Sequence, residues 1–290
     1  VEGKGMDATG ASFSRLENDA RTVRAPGARR FMLLRHGQTN FNAEGRVQGS
    51  SDDSRLSEFG LRQAKGAGAF LKDFAFEQTY VSPLNRARET LRTVAGDGGD
   101  AAVEEAVVDD DLREIDLYEW QGMLKEDIKH QFPDDFAKWR GSGAASFRLP
   151  SGNYPVVQLW ARARNVWARV LRDAAESGCG EEEEGDGRLL VAHNAVIQAM
   201  ICTAMGLGED SFRKFQVPNC GVVEMEWVPG EAMARRWRWR FPKEDTEWHI
   251  ADDYLPDKQT GDAECTNEIL GKTSLRARSI SIDGSSEFPS

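Results

Sequence analysis

The predicted sheet of this chain is built around Phe31-Met-Leu-Leu-Arg-His-Gly37, an apolar run that ends abruptly in basic and polar residues. Four consecutive apolar residues after the basic Arg29-Arg30 pair are typical of a buried strand in a parallel sheet. The run therefore predicts a strand that stops at Arg35 and His36. Because ligands of open α/β sheets bind beyond the carboxyl ends of the strands, we expect His36 to face a binding crevice.

The tripeptide Arg35-His36-Gly37 combines groups that suit attack on a phosphorus centre. The planar guanidinium of Arg35 binds phosphate oxygens, and Gly37 lets the backbone come close. A neutral imidazole on His36 carries a ring nitrogen that acts as a nucleophile. A buried, hydrogen-bonded histidine at a strand end is the alternative, and the tripeptide alone does not separate the two.

Composition limits the classes of function. The 290 residues are 40% hydrophobic and 29% charged, which suits one large domain with tails or two small domains. The net charge of −11 argues against nucleic acid or an anionic membrane as the main partner. The four cysteines are far apart, which favours free thiols in a reducing compartment. No apolar run approaches about 18 residues, so we expect no membrane span.

A second strand is predicted to end at a histidine. Residues 188–192 are apolar after Arg188 and lead directly into His193, and an apolar helix is predicted over residues 195–205. The carboxyl ends of parallel strands lie on one edge of a sheet. His36 and His193 are therefore expected to face one another across one pocket.

The remaining pattern alternates helices with strands, which is typical of an α/β fold. Ser82 and Pro83 predict the N-cap and first residue of a helix over residues 84–94, with Arg86 pointing back over the strand ends. A long helix is predicted from Pro155, with one apolar stripe. Other helices are predicted at 57–73, 125–132 and 133–140, and other strands at 78–82 and 103–109, with a hairpin of 221–227 and 234–240.

Other phosphate chemistries lack their residues. None of the four cysteines is followed six places later by arginine, and no Asp-x-Asp-x-Thr/Val string follows a strand. The four histidines, at 36, 130, 193 and 249, have no short spacing typical of a zinc or two-metal site. We therefore expect histidine chemistry with no metal and no cofactor.

Four motifs, in order, resemble the signatures of the histidine phosphatase superfamily, in its phosphoglycerate-mutase-like branch. They are Leu34-Arg-His-Gly-Gln-Thr-x-x-Asn42, Ser82-Pro-Leu-x-Arg-Ala-x-Glu-Thr90, Leu112-Arg-Glu114 and Val191-Ala-His193. The resemblance implies a three-layer sandwich with a mostly parallel central sheet flanked by helices. It places this domain at residues 31–242, between a polar arm (1–30) and a polar tail (243–290) with the composition of a disordered segment.

A narrower resemblance is to the plant 2-carboxy-D-arabinitol 1-phosphatases of the chloroplast. It rests on the strings at 112–118, 120–122, 154–156, 159–164, 191–196 and 219–222. Asn194 stands where the superfamily usually has glycine, and the arabinitol-phosphatase pattern has asparagine there. This resemblance implies a phosphorylated sugar or sugar acid as substrate and a chloroplast location, the alternative being soluble and cytoplasmic. Arg148, Arg162 and Arg164 are candidate cations for a carboxylate.

The resemblance also implies a role for each motif residue. His36 attacks the phosphoryl group to form a phosphohistidine, and Glu114 protonates the leaving oxygen and then activates water. Arg35, Arg86 and His193 stabilise the charge that develops on the phosphoryl oxygens. The implied substrate-binding residues are Gly37, Asn42, Gln48 and Asn194.

Two alternatives to a phosphatase remain open: a mutase, and a non-catalytic relative that only binds phosphate. Mutases of this family carry a longer, basic insertion after the acid glutamate. Residues 125–151 are mixed in charge and lack a paired-arginine clamp, which favours hydrolysis. The retained reactive side chains argue against the non-catalytic reading. We therefore expect a small phosphorylated molecule as the partner, and the sequence does not predict an oligomeric state.

Overall fold

The computed structural model describes residues 28–176, 187–228, 233–234 and 236–240, the last five by their backbone. Most of the predicted polar arm, the acidic run at 181–184 and the predicted tail lie outside these residues. The described residues contain no helix of the length and apolarity that a membrane span requires.

The described residues form one six-stranded sheet in the order β3-β2-β4-β1-β5-β6. The four strands from β3 to β1 run parallel, and β5 lies antiparallel to both β1 and β6. The predicted hairpin, formed by β5 and β6, is therefore confirmed. The strands are β1 Arg29–Arg35, β2 Gln78–Val81, β3 Val107–Val108, β4 Arg188–Ala192, β5 Val222–Trp227 and β6 Arg236–Arg240.

Eight α-helices occur in the described part of the chain, joined by short 3₁₀ turns. They are α1 Asn40–Glu44, α2 Glu58–Leu71, α3 Asn85–Val94, α4 Gly99–Glu105, α5 Lys125–Gln131, α6 Pro133–Arg140, α7 Pro155–Glu176 and α8 Asn194–Ala204. The predicted helices that begin near residues 57, 125, 133, 155 and 195 are confirmed.

Strand β1 is an interior strand of the sheet, between β4 and β5, and is buried on both faces. Phe31 and Leu33 pack into one apolar layer with α7 and α8, whereas Met32 and Leu34 pack into a second layer with α2, α3 and α4. All four side chains are fully buried. The alternation of a strand thus sends its side chains to two helical layers. The chain has the expected three-layer α/β sandwich.

Helix α7 supplies most of the first layer. Its predicted stripe is buried along its whole length, through Val156, Leu159, Trp160, Ala163, Trp167, Val170 and Ala174. Two of its tryptophans also donate hydrogen bonds from the indole N–H, that of Trp167 to the carbonyl of Met200 (2.9 Å) and that of Trp160 to the carbonyl of Leu207 (3.2 Å). These bonds fix α7 against α8, which begins at the candidate site.

The prediction of a strand over residues 103–109 was wrong for most of that range. Residues Gly99–Glu105 form α4, and only Val107–Val108 form a strand. Alanine and glutamate are strong helix formers, and the helix buries Val103 in the second apolar layer. A short apolar run does not by itself distinguish a strand from a helix.

The predicted start of α3 was also wrong. The helix begins at Asn85 with Leu84 at the N-cap and no capping side chain. Ser82 lies two residues before that N-cap, and its hydroxyl accepts a long hydrogen bond from the backbone N–H of Leu84 (3.4 Å) and also bonds to the ring of His193 (2.7 Å). A residue that reads as a helix cap in the sequence is thus part of the candidate site.

The loop after β1 packs directly on the first turn of α2. A Cβ added to Gly60 would lie 2.0 Å from the carbonyl oxygen of Gln38, and one added to Gly37 would lie 2.6 Å from the carbonyl oxygen of Gly60. Ser57 caps α2 and donates to the Gln38 side chain at 2.9 Å. The two glycines therefore allow the backbone contact that holds this loop in place.

Substitution of Gly60 by alanine is expected to lower the free energy of unfolding by about 1–3 kcal/mol, because the methyl group forces two backbones apart. Gly66 lies in the same helix with open space around its Cβ position, so Gly66→Ala should raise the free energy of unfolding by about 0.5–1 kcal/mol. Urea denaturation of the two variants measures both effects. Equal effects at the two positions would contradict the close contact.

Candidate active site

Three parallel strands bring polar side chains to one edge of the sheet. His36 follows β1, Ser82 follows β2, and His193 follows β4. The backbone N–H of His36 donates to the carbonyl of Ala192 (3.0 Å), and that of Ser82 to the carbonyl of Val191 (3.0 Å). The ring centroids of His36 and His193 are 5.1 Å apart. The predicted meeting of the two histidines is therefore confirmed.

The tautomer of His36 follows from its neighbour. Its Nδ1 lies 2.7 Å from the carbonyl oxygen of Gly37, which only accepts hydrogen bonds. Nδ1 must therefore carry the proton and donate it to this bond. In the neutral ring the lone pair is then on Nε2, so the ring is oriented to act as a nucleophile through that atom.

Both ring nitrogens of His193 are engaged. Arg86 Nε, which only donates, lies 3.2 Å from His193 Nδ1, so Nδ1 is the acceptor. Its Nε2 lies 2.7 Å from Ser82 Oγ and is the donor in the neutral ring. Ser82 and Arg86 together fix the ring and its tautomer.

Arg86 is fully buried and links this ring to the loop that follows α1. Its Nη1 donates to the carbonyl of Ser51 and its Nη2 to the carbonyl of Gly49, each at 2.7 Å. Its position in the first turn of α3 directs the side chain back over the strand ends, as predicted. Its guanidinium therefore donates to three acceptors, the ring of His193 and the two carbonyls.

Arg35 presents a second guanidinium to the same space. Its Nη1 donates to the carbonyl of Val217 at 2.6 Å. Within the described part of the chain, its buried Nε has no hydrogen-bond partner. An unpartnered buried donor is expected where a ligand atom completes the bonding.

The electrostatics of the site keep both imidazoles neutral. Burial lowers the pKa of His36 well below its usual value, and the charges of Arg86 and Arg35 lower it further. Burial, followed by the charge of Arg86, likewise lowers the pKa of His193. Burial also lowers the pKa of each arginine to about 10, opposed by the charge of Glu114. The site is cationic around two neutral rings, and this arrangement suits an anion.

Glu114 lies at the N-terminus of α8. Its carboxylate accepts hydrogen bonds from the backbone N–H of Ala195 (3.1 and 3.2 Å), of Val196 (3.3 Å) and of Ile115 (2.9 Å). His193, the N-cap residue, makes no capping bond through its side chain. The carboxylate therefore takes the place of a cap, bound to N–H groups two and three residues after His193.

Asn42 and Gln48 are anchored through their oxygens. Asn42 Oδ1 accepts from the backbone N–H of Thr39 (3.2 Å) and from Asn219 Nδ2 (3.4 Å), and Gln48 Oε1 accepts from Ser54 Oγ (2.7 Å). Among the described residues, neither side-chain NH₂ has a partner. Both groups remain available as donors to a ligand.

Gly37 and Asn194 make contacts within the protein. The backbone N–H of Gly37 donates to Thr90 Oγ1 of α3 at 3.0 Å. The lack of a side chain lets Gly37 also pack against Gly60 of α2. Asn194 Oδ1 accepts from the backbone N–H of Val217 at 3.1 Å. The two contacts hold the loops on either side of the candidate site.

The three candidate cations for a carboxylate are engaged elsewhere. Arg148 Nε donates to the carbonyl of Gly152 (3.1 Å), and Arg164 pairs with Glu209 (3.3 Å). Arg162 donates to backbone carbonyls of the segment that carries Glu114. None of the three guanidinium groups is free in this state.

Sequence reasoning missed Ser82 and Asn219 as site residues. Asn219 Nδ2 donates to the carbonyl of His36 at 3.0 Å as well as to Asn42. Ser82 had a usable signal, because it also follows a parallel strand and belongs at the same edge. Asn219 had none beyond its place in a string of the narrower resemblance.

The described residues contain no group of three or more His, Cys, Asp or Glu side chains close enough to hold a metal ion. The side chains at the site are a ring nitrogen with a free lone pair, two guanidinium groups, amide donors and a carboxyl group.

The buried histidines predict how stability depends on pH. The unfolded chain binds protons at imidazoles with a pKa of about 6.5, whereas the folded chain binds them only at lower pH. The free energy of unfolding should therefore fall as the pH drops below about 6.5, by at most about 1.4 kcal/mol per pH unit for each ring. Urea denaturation between about pH 7.5 and 5.5 measures this loss.

His36→Gln should reduce that pH dependence, whereas His130→Gln should not, because His130 is exposed on α5. An unchanged slope in the His36 variant would contradict the assignment of a buried, neutral ring.

Comparison with known proteins agrees with this geometry. The histidine phosphatase superfamily (branch 1) matches residues 31–240 of the chain. A protein of Arabidopsis thaliana named "Probable 2-carboxy-D-arabinitol-1-phosphatase" is 41% identical over 201 residues, and the 2-carboxy-D-arabinitol-1-phosphatase of Triticum aestivum is 39% identical over 202 residues. The matches cover 69% and 70% of this chain but 38% of each relative, so the chain matches well under half of their length.

A solved structure, that of a mycobacterial glucosyl-3-phosphoglycerate phosphatase, has a TM-score of 0.61 at 29% identity. The alignment covers 75% of this chain and 100% of the solved one. The family match spans both histidines, both site arginines and Glu114 in one continuous range. The chain belongs to the histidine phosphatase superfamily.

Proposed function

We propose that this chain is a metal-independent phosphomonoesterase that acts through a phosphohistidine on His36. One observation carries the proposal: a neutral, buried imidazole with its lone pair on Nε2 lies 5.1 Å from a second imidazole and within the field of two guanidinium groups. An uncharged nucleophile in a cationic pocket suits attack on an anionic phosphoryl group. The named phosphatases among the relatives support the same class of reaction.

In the first step, His36 Nε2 attacks phosphorus and the bond from phosphorus to the ester oxygen breaks. Glu114 donates its proton to the departing oxygen. In the second step, Glu114 takes a proton from water, the water oxygen attacks phosphorus, and the phosphorus–nitrogen bond breaks. Inorganic phosphate leaves and His36 is neutral again, so the cycle closes without a metal ion.

Two guanidinium groups and the neutral ring of His193 stabilise charge that both transition states share. Arg35, Arg86 and His193 would contact the equatorial phosphoryl oxygens, and the unpartnered Nε of Arg35 is one donor available for this. Asn42 and Gln48 would add neutral donors through their NH₂ groups. The two steps thus use the same donors.

The substrate class we propose is a small phosphorylated sugar or sugar acid, with 2-carboxy-D-arabinitol 1-phosphate as the named example from the relatives. A chloroplast location is proposed on the same basis. The physical support is a pair of cations near the site. Lys125 is exposed at the start of α5, and desolvation, followed by the charges of Arg140 and Arg35, lowers its pKa. Among the described residues neither Lys125 nor Arg140 pairs with a carboxylate, so both suit a second anionic group of the substrate.

The class of reaction is tested by release of phosphate from an aryl phosphate in the presence of a chelator. We expect release to persist, and His36→Ala to reduce it by about 10³-fold or more because the nucleophile is gone. His130→Ala, at an exposed position of α5, is the matched control and should keep full activity. Loss of activity in chelator that a divalent ion restores would refute the proposal. So would conversion of 3-phosphoglycerate, with a bisphosphate primer, that exceeds its hydrolysis.

The second anionic group is tested with Lys125→Gln. The variant should raise KM for a phosphorylated sugar acid by about 10-fold, since one charge-assisted contact is lost, and should leave KM for a neutral polyol phosphate nearly unchanged. Lys129→Gln is the control, because Lys129 lies on the same helix and pairs with Glu126. Equal changes for the two substrates would show that Lys125 does not recognise the acid group.

A further inference from the structure

The segment that carries Glu114 belongs to no strand and to no helix. Strand β3 ends at Val108, and residues 114–117 have no regular secondary structure. A general acid acts only when its proton lies within hydrogen-bond reach of the leaving oxygen. The backbone at Glu114 is therefore fixed by contacts with neighbouring elements and not by a strand or helix of its own.

Arg162, two turns into α7, bonds to that backbone at three points. Its Nη1 donates to the carbonyls of Arg113 (2.6 Å) and Asp111 (3.3 Å), and its Nη2 donates to the carbonyl of Glu114 (3.0 Å). A planar guanidinium suits such a contact, because its donors lie in a fixed fork. Arg162 thus joins a rigid core helix to the irregular segment.

The surroundings of Arg162 differ from those expected of a substrate-binding residue, whose donors would have no partner in the free protein. Burial lowers the pKa of its guanidinium, and the charges of Glu114 and Asp111 oppose this effect. Its donors are directed at carbonyls of the protein. By contrast, Lys125 and Arg140 have no such partners among the described residues.

Arg169 lies two turns further along α7 and provides an internal comparison. It donates to both carboxylate oxygens of Asp109 (2.6 and 3.1 Å) and to Asp111 (2.8 Å), and so supports the start of the same segment. None of its bonds reaches Glu114. Both arginines lie on α7 and bond to residues 109–114. Arg162 bonds to Glu114 itself, whereas Arg169 bonds to residues three to five positions before it.

We infer that Arg162 is a positioning residue for Glu114, which holds the backbone of the acid so that its carboxyl group stays at the N-terminus of α8 beside the reacting phosphoryl group. The inference rests on the proposed function, in which Glu114 protonates the leaving oxygen. A displacement of about 1 Å at a reacting group costs up to about 10²-fold in rate. The loss of three backbone contacts is large enough to cause such a displacement.

The test compares a poor leaving group with a good one. Glycerol phosphate needs protonation of its leaving oxygen, whereas 4-nitrophenyl phosphate does not. Glu114→Gln sets the reference and should lower kcat by about 10²-fold or more on glycerol phosphate and far less on the aryl ester. Arg162→Gln should follow the same pattern, with a loss of about 10- to 100-fold on glycerol phosphate and a few-fold at most on the aryl ester.

Three further variants complete the design. The double variant Glu114→Gln/Arg162→Gln should be no slower than Glu114→Gln alone, because a positioning residue has nothing left to position. Arg162→Lys keeps the charge without the fork, so it should show the same selective loss in milder form if Arg162→Gln does not fold. Arg169→Gln should lower the melting temperature without a difference between the two substrates.

Other results would refute the positioning role of Arg162 or the role of Glu114 as the acid. Equal losses on the two esters in Arg162→Gln, or a selective loss in Arg169→Gln, would refute the positioning role. An increase in KM confined to carboxylated substrates would make Arg162 a substrate-binding residue instead. If Glu114→Gln itself shows no selectivity, the assignment of Glu114 as the acid fails, and the positioning role fails with it.

Discussion

The parallel pairing of β1 with β4 is the constraint on which the rest of this structure depends. The register joins Phe31 to Arg188 at one end and Arg35 to Ala192 at the other, so the residue that follows each strand is a histidine at the same level of the sheet. A slip of one residue would turn every side chain of β1 to the opposite helical layer. Because β1 is buried on both faces, both layers resist such a slip. The 5.1 Å between the imidazole centroids is thus set by packing far from the rings.

The same site removes two guanidinium groups and two imidazoles from water, which is unfavourable for every charged form. Carbonyl oxygens offset part of the cost, those of Gly49 and Ser51 for Arg86 and that of Val217 for Arg35. The imidazoles respond by staying neutral, and the arginines keep a cationic field that only an anion completes. Folding and chemistry are therefore coupled here, since the burial that weakens the protein at low pH also keeps the nucleophile unprotonated.

Much of the fold and of the site could be predicted because two simple rules apply to this chain. Continuous apolar runs identified β1 and β4, and the rule that ligands bind at the carboxyl ends of parallel strands placed His36 and His193 together. The rules failed where a residue has two plausible uses. Ser82 has the pattern of a helix cap but bonds to His193, and Val103 has the pattern of a strand but is buried in a helix. Arg162 was one of three candidate cations for the substrate because of its charge, whereas its donors are bound to backbone carbonyls.

The sequence by itself determined the alternation of strands and helices, the positions of the two strand-end histidines and the family to which the chain belongs. These depend on local patterns of apolar and polar residues, which short stretches of sequence contain in full. Only the tertiary structure decided which ring nitrogen of His36 carries the proton, which residues fix His193, and what holds Glu114 beside α8. The partners of His193 and Glu114 lie up to 111 positions away along the chain, and the proton on His36 depends on how the backbone turns at Gly37. No local pattern in the sequence records either.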